Sequence, residues 1–218
     1  MLTTHNLTYS YPGTNPVFRF PDLTVGSAEA CLLLGPSGAG KSTWLHLLAG
    51  LLTPAAGSTF LDGTDYAKLT GGALDRFRGR NIGLVLQRAY FLEALTVKEN
   101  LLIARRSAGL PADEEGAHTV LEQLGIGPLA ARRPHQLSIG EQQRATIARA
   151  LVNHPKLILA DEPTSALDNR NAARVSSLLR QRAAELGAAL VVVTHDQRLR
   201  DDYSTVVELQ PSTPQQTY

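Results

Sequence analysis

Residues 35–42 read Gly-Pro-Ser-Gly-Ala-Gly-Lys-Ser and fit the pattern G-x-x-x-x-G-K-[ST]. No other stretch restricts the fold as much, because the pattern needs a particular setting. It follows the apolar run CLLLG, which reads as a buried strand, and it opens KSTWLHLLAGLL, which has helical spacing. Glycines let the backbone curl so that successive N–H groups face phosphate oxygens, and the positive end of the helix dipole adds to the attraction. Gly35, Ser37, Gly38, Ala39, Gly40, Lys41, Ser42 and Thr43 are therefore candidate phosphate-binding residues. Lys41 is expected to reach the β- and γ-phosphates, and the Ser42 hydroxyl to bind Mg²⁺. The pattern implies a nucleoside triphosphate as ligand.

The rest of the chain supplies a matching framework. The first 30 residues alternate apolar and polar types between Pro and Gly, which predicts short antiparallel strands. STFLDG and NIGLVLQ read as strands with the short helix ALDRFRGR between them. From Thr96 to His154 the texture changes to three helical patterns, TVKENLLIARRSAG, ADEEGAHTVLEQLG and IGEQQRATIARALVNH. Then LILADEP, AALVVVTHD and STVVELQ read as strands, separated by the helix NRNAARVSSLLRQRAAELG and the short helix QRLRDDY. Strands alternating with helices predict an α/β fold with a mainly parallel sheet covered on both faces. The expected organisation is one domain over residues 1–210. Its core (1–95 and 155–210) carries an antiparallel β part, a helical lobe (96–154) is inserted, and 211–218 form a polar, frayed tail.

Two strands end in groups with phosphate chemistry. LILADEP delivers Asp161, placed to hold Mg²⁺, and Glu162, placed to take a proton from an attacking water. VVVTHD delivers Thr194, His195 and Asp196, of which His195 is placed to contact the γ-phosphate or hold the water. Gln87 ends the strand NIGLVLQ, where its amide can touch both Mg²⁺ and water.

Composition excludes several classes. A formal net charge of +1 gives no general attraction to nucleic acid or an anionic membrane. The apolar runs HLLAGLL and AALVVV are far shorter than the roughly 20 residues of a membrane-spanning helix. The N-terminus has no secretory pattern, and the single cysteine, Cys31, lies in an apolar run and reads as a small buried residue.

Together GPSGAGKST, Gln87, LSIGEQQR, LILADEP, Ser165-Ala166-Leu167-Asp168 and His195 resemble, in order and spacing, the ATP-binding-cassette ATPases. The resemblance runs from about residue 2 to 210. It implies a P-loop core with an antiparallel β subdomain and an inserted helical subdomain, binding ATP and Mg²⁺ and hydrolysing ATP. Glu162, His195 and Gln87 would be catalytic, with Ser42, Gln87 and Asp161 at the metal. Tyr11 falls where the family places an aromatic on adenine, and Tyr9 is its neighbouring rival.

The family dimerises head to tail around two ATP molecules. Each phosphate loop would then face Ser138, Gly140 and Glu141 of a second, identical ATPase subunit, with residues 165–168 lining the interface and Asp168 near the nucleotide. The short single domain with FLEALTVKENL most resembles the lipoprotein-release and macrolide-export branch, and the cell-division branch has a similar outline. Membrane permease subunits would dock near residues 87–100, at the cytoplasmic face of the inner or plasma membrane, and no nucleic-acid partner is expected. Relatives acting on nucleic acid or ribosomes carry coiled coils, zinc inserts or two cassettes, none of which is visible.

LSIGEQQR has a second reading. Ser138 and Glu141 fit the S-x-x-E capping box at the start of a helix. The family's usual LSGGQ is altered at Ile139, a β-branched residue that stiffens the turn, and at Glu141, an acid near phosphate, while Ser138 and Gly140 are intact. A working site is expected.

Overall fold

The computed structural model describes residues 1–13, 17–165 and 168–210. The expected tail 211–218 and the pair Ala166-Leu167 lie outside them. Two sheets form the frame. The strands of the first are β1 (Leu2–Tyr9), β2 (Phe18–Arg19), β3 (Leu23–Val25), β5 (Ala56–Leu61) and β6 (Thr64–Asp65), and the central strand β1 pairs antiparallel with β2, β3 and β5. The second sheet runs β10-β4-β9-β8-β7, all parallel, from β4 (Ala30–Leu34), β7 (Ile82–Val85), β8 (Leu157–Asp161), β9 (Ala189–Thr194) and β10 (Thr205–Glu208).

The two-residue side-chain period of β4 sorts the core into two layers. Cys31 and Leu33 face one way, joined by Leu157, Leu159, Val191 and Val193, against Trp44 and Leu48 and the antiparallel sheet. Leu32 and Leu34 face the other way with Ile158, Ala160, Leu190 and Val192, against Ile147, Leu151 and Leu179. Trp44, Leu47 and Leu48 belong to α1 (Lys41–Leu48), which follows the phosphate loop directly. A sheet buried on both faces explains the unbroken apolar runs of its strands. Cys31 is buried, and the loss of hydration pushes its thiol pKa up to about 12.

After α2 (Gly72–Asn81), residues 96–154 contain only helical elements and loops. These include α3 (Val97–Ser107), α4 (Glu114–Gln123) and α5 (Ile139–Leu151). α3 opens on a capping box of Thr96 and Glu99, and the apolar faces of all three helices share the cluster behind Leu32 and Leu34. α6 (Asn169–Leu186) completes that layer and stops at Gly187, whose φ of 65° closes the last turn.

Three boundaries differ from the sequence reading. α1 ends at Leu48 rather than running through LLAGLL, because Gly50 takes φ 64° and turns the chain away. The strand of NIGLVLQ is Ile82–Val85, since Asn81 still closes α2 by donating its side-chain amide to Phe77 O. Gln87 therefore stands two residues past the strand end, in a loop. QRLRDDY forms a 3-10 segment, Gln197–Asp202, capped by Asp196.

Candidate nucleotide site

The phosphate loop leaves β4 at the C-terminal edge of the parallel sheet, and β8 and β9 end beside it. Gly40, the residue before α1, takes φ 87°. A Cβ there would also stand 2.7 Å from the Phe18 ring, so both conformation and space require glycine. At Gly35 a Cβ would meet Leu209 O at 2.8 Å. Lys41 is buried, and its ammonium donates to Gly35 O (2.8 Å) and Pro36 O (3.0 Å), so it lies across the mouth of its own loop. Ala39 puts its methyl into the core, and its N–H closes on Pro36 O at 3.3 Å.

Asp161 ends β8, with the Ser42 hydroxyl close enough to pull its pKa down. Its Oδ1 is buried with no hydrogen-bond partner among the described residues. Burial, reinforced by the neighbouring Glu162 charge, raises its pKa above the ordinary value, although Ser42, His46 and Lys41 pull the other way. A carboxylate with a buried, unpartnered oxygen beside a serine hydroxyl is the ligand set of a hard cation with its water shell, so the residues fit Mg²⁺.

Glu162 is held more completely than its sequence position suggests. Its backbone takes φ 47°, left-handed for a side chain with a Cβ, while its N–H donates to Val193 O at 2.8 Å. The carboxylate accepts from the Thr194 hydroxyl (2.8 Å) and the His195 N–H (3.1 Å), and Nδ1 of His195 lies 2.8 Å from Oε1. Glu162 has 13% of its side chain exposed and His195 63%, so the pair leads from the protein to solvent. Gln87 donates to the Ser165 hydroxyl at 3.3 Å, and that hydroxyl donates to Glu162 O. Thus Ser37, Gly38, Gly40, Lys41, Ser42, Thr43, Gln87, Glu162 and His195 line one cavity of about 440 Å³.

Tyr11, two residues past the end of β1, has its hydroxyl 2.9 Å from the Thr43 hydroxyl. Its ring meets Tyr9 edge to face at 4.9 Å between centroids, so the two rivals form a single aromatic contact.

Ser138, Gly140, Glu141 and Asp168 are elsewhere. With Ile139, Arg144 and Arg174 they line a separate groove of about 840 Å³ between α5 and α6. The capping box at the head of α5 is present in full. The Ser138 hydroxyl and N–H donate to Glu141 Oε2 at 2.7 and 2.8 Å, and those bonds hold the Glu141 carboxyl below the usual range. Ile139 is 65% exposed and turns away from the protein, and nothing stands within 4 Å of a Cβ built on Gly140. Asp168 caps α6 by accepting from the Asn171 N–H at 2.9 Å. The chain therefore does not bring these residues to the phosphate-loop cavity.

Two contacts lay outside the sequence reading. Phe18 walls the cavity over Gly40, and Thr194 anchors Glu162. The only available signal for Thr194 was a hydroxyl next to His195 at a strand end. Phe18 comes from a distant two-residue strand and left none.

The sequence model of the ABC transporter family matches residues 19–165. The lipoprotein-releasing system ATP-binding protein LolD of Anaeromyxobacter dehalogenans is 45% identical over 201 residues, covering 91% of this chain and 84% of that protein. The macrolide export ATP-binding/permease protein MacB 1/2 of Paracoccus denitrificans is 42% identical over 204 residues, 91% of this chain and 30% of that longer protein. The dimeric post-hydrolysis structure of the ATP-binding cassette MJ0796, bound to ADP and Pi, superposes with a TM-score of 0.86 at 31% identity, covering 99% of this chain and 97% of that one.

Proposed function

This chain belongs to the ABC transporter family and is an ATP-binding, ATP-hydrolysing cassette; from that premise we propose that it drives a membrane exporter of the lipoprotein-releasing or macrolide-export type. The observation that carries the site assignment is the Glu162 carboxylate, fixed by Thr194 and His195 in the cavity that Lys41 and Ser42 share.

The phosphate loop and Lys41 bind the β- and γ-phosphates, with Tyr11 beside the base. To do so Lys41 exchanges its bonds to Gly35 O and Pro36 O for phosphate oxygens. Ser42, Asp161 and Gln87 are the residues that would hold Mg²⁺, which neutralises charge building on the phosphates. Glu162 accepts a proton from the water that attacks the γ-phosphorus, the bond to the ADP oxygen breaks, and ADP and phosphate result. His195 holds Glu162 in place and faces the transferred phosphate.

Because the groove of Ser138, Gly140 and Glu141 is separate from this cavity, a second copy completes each site head to tail. No described helix is long and apolar enough to cross a membrane. Permease subunits, separate or fused, would supply the passage at the cytoplasmic face, and residues 87–100 would receive them.

Glu162→Gln tests the assignment. Hydrolysis should fall at least ~100-fold while ATP binding persists, and gel filtration in ATP and Mg²⁺ should show a stable dimer. Turnover at the unaltered rate would remove Glu162 from the mechanism.

A further inference from the structure

The loop after Gln87 is held in a shape it would not keep alone. Tyr90 takes φ 43°, a left-handed conformation that a bulky side chain rarely adopts. Two helices hold the segment. From α3, Asn100 accepts from the Leu92 N–H at 2.9 Å and donates to Leu92 O and Thr96 O at 3.2 and 2.9 Å. From α5, Arg149 donates through Nη1 to Tyr90 O at 2.7 Å and through Nη2 to Ala89 O at 2.6 Å. The same guanidinium lies 4.9 Å from the centroid of the Phe91 ring.

This arginine is unusual in its partners. It is partly buried, and the lost hydration lowers its pKa from the ordinary arginine value. Among the described residues it has no carboxylate partner, so the two loop carbonyls and one ring answer its charge. Parting the loop from α5 would strand a poorly hydrated cation, which makes the joint costly to open. A planar two-pronged contact also fixes direction, which a single hydrogen bond does not. The fork thus ties the position of the loop to that of α5.

The two ends of this unit matter to the function proposed above. At the head of α5 stands Ser138, about 16 Å from Arg149 along the helix at 1.5 Å per residue, with Glu141 about one turn nearer. At the other end Tyr90 and Leu92 are 66% and 52% exposed, a pair of apolar side chains offered to solvent. We infer that Arg149 is a positioning residue that couples the nucleotide-bound dimer to this exposed loop. Displacement of α5 as the dimer closes reaches Tyr90 and Leu92 through the guanidinium fork, and a load on the loop returns to Ser138 by the same route. The inference rests on the proposed ATP-driven dimer. Its physical warrant is a joint between two elements rather than mere proximity.

The test uses the full chain carrying Glu162→Gln and Leu92→Cys, with an environment-sensitive fluorophore on the new thiol, Cys31 being buried. ATP and Mg²⁺ are titrated while dimerisation is followed by gel filtration. The parent should dimerise and its emission should shift in step. With Arg149→Lys, which keeps the charge but loses the fork, dimerisation should persist and the shift should shrink at least five-fold. Arg149→Gln, neutral and able to reach one carbonyl, is read in parallel and should behave alike if the lysine variant fails to fold. A parent that stays monomeric refutes the dimer reading instead. A dimerising parent without an emission shift, a variant with the full shift, or a folded variant that no longer dimerises overturns the role of Arg149.

Discussion

The phosphate-loop cavity and the head of α5 are built in opposite ways. The phosphate-loop side is assembled from distant segments: β4, β8 and β9 converge, Phe18 arrives from another sheet, and Glu162 is held by residues 32 and 33 positions away. The head of α5 is local. Its polar groups are satisfied within four residues, by Ser138 and Glu141, and its surface is open. The first is preorganised by tertiary packing. The second is finished as a helix cap, and its open surface is what the proposed second copy would meet. Preorganised groups lower a reaction barrier because they need not reorganise during it, whereas an open helix end serves to meet another molecule.

Four changes probe this contrast, from the largest expected effect to the smallest. Ser138→Arg places a long cation where the second copy must approach. ATP-driven dimerisation should disappear in gel filtration, while the melting temperature drops only by the loss of one cap, about 1 kcal/mol in stability. An unchanged dimer would leave Ser138 as a cap alone. On the preorganised side, Thr194→Val removes one of three donors to Glu162 at nearly constant volume. Steady-state ATPase assays should show roughly a ten-fold fall in kcat with KM little changed, the pattern of a lost orienting contact.

Asp161→Asn separates stability from function. Burial raises the folded-state pKa of Asp161, so its ionised form costs stability at every pH above that value. At neutral pH without nucleotide, the asparagine variant should melt higher than the unaltered chain while losing Mg²⁺-dependent hydrolysis. The gain should fade as pH falls through the folded pKa and then the unfolded one, where both forms are neutral. A variant that melts lower at neutral pH would show that Asp161 stabilises the fold after all. The smallest effect belongs to Ile139→Gly. The side chain projects outward, so ATPase activity should remain within a few-fold of the original.

Some of this was legible without coordinates. The strand–loop–helix order around Lys41, the helical character of residues 96–154 and the Ser138–Glu141 box all depend on neighbours a few residues apart, whose spacing the chain itself displays. Strand ends were less legible. Gln87 was placed on a strand, yet Val85 is its last residue, because the apolar run continues one position beyond the last pairing with β8. The grip of Arg149 on residues 89 and 90 spans about 60 positions and ends on backbone carbonyls, which carry no side-chain signature.

The sequence by itself determined the chemistry: a phosphate loop, two acids, a histidine, and a capped helix of the cassette type. Local spacing specifies such features because backbone hydrogen bonding and side-chain periodicity act over a few residues. Only the tertiary structure decided how that chemistry is distributed. It set Thr194 and His195 on Glu162, left Asp161 Oδ1 without a partner among the described residues, and tied the loop after Gln87 to α5. It also put Ser138 and Lys41 in different cavities. The reason is physical: contacts between remote segments depend on how whole layers pack, and no single stretch of chain contains that information.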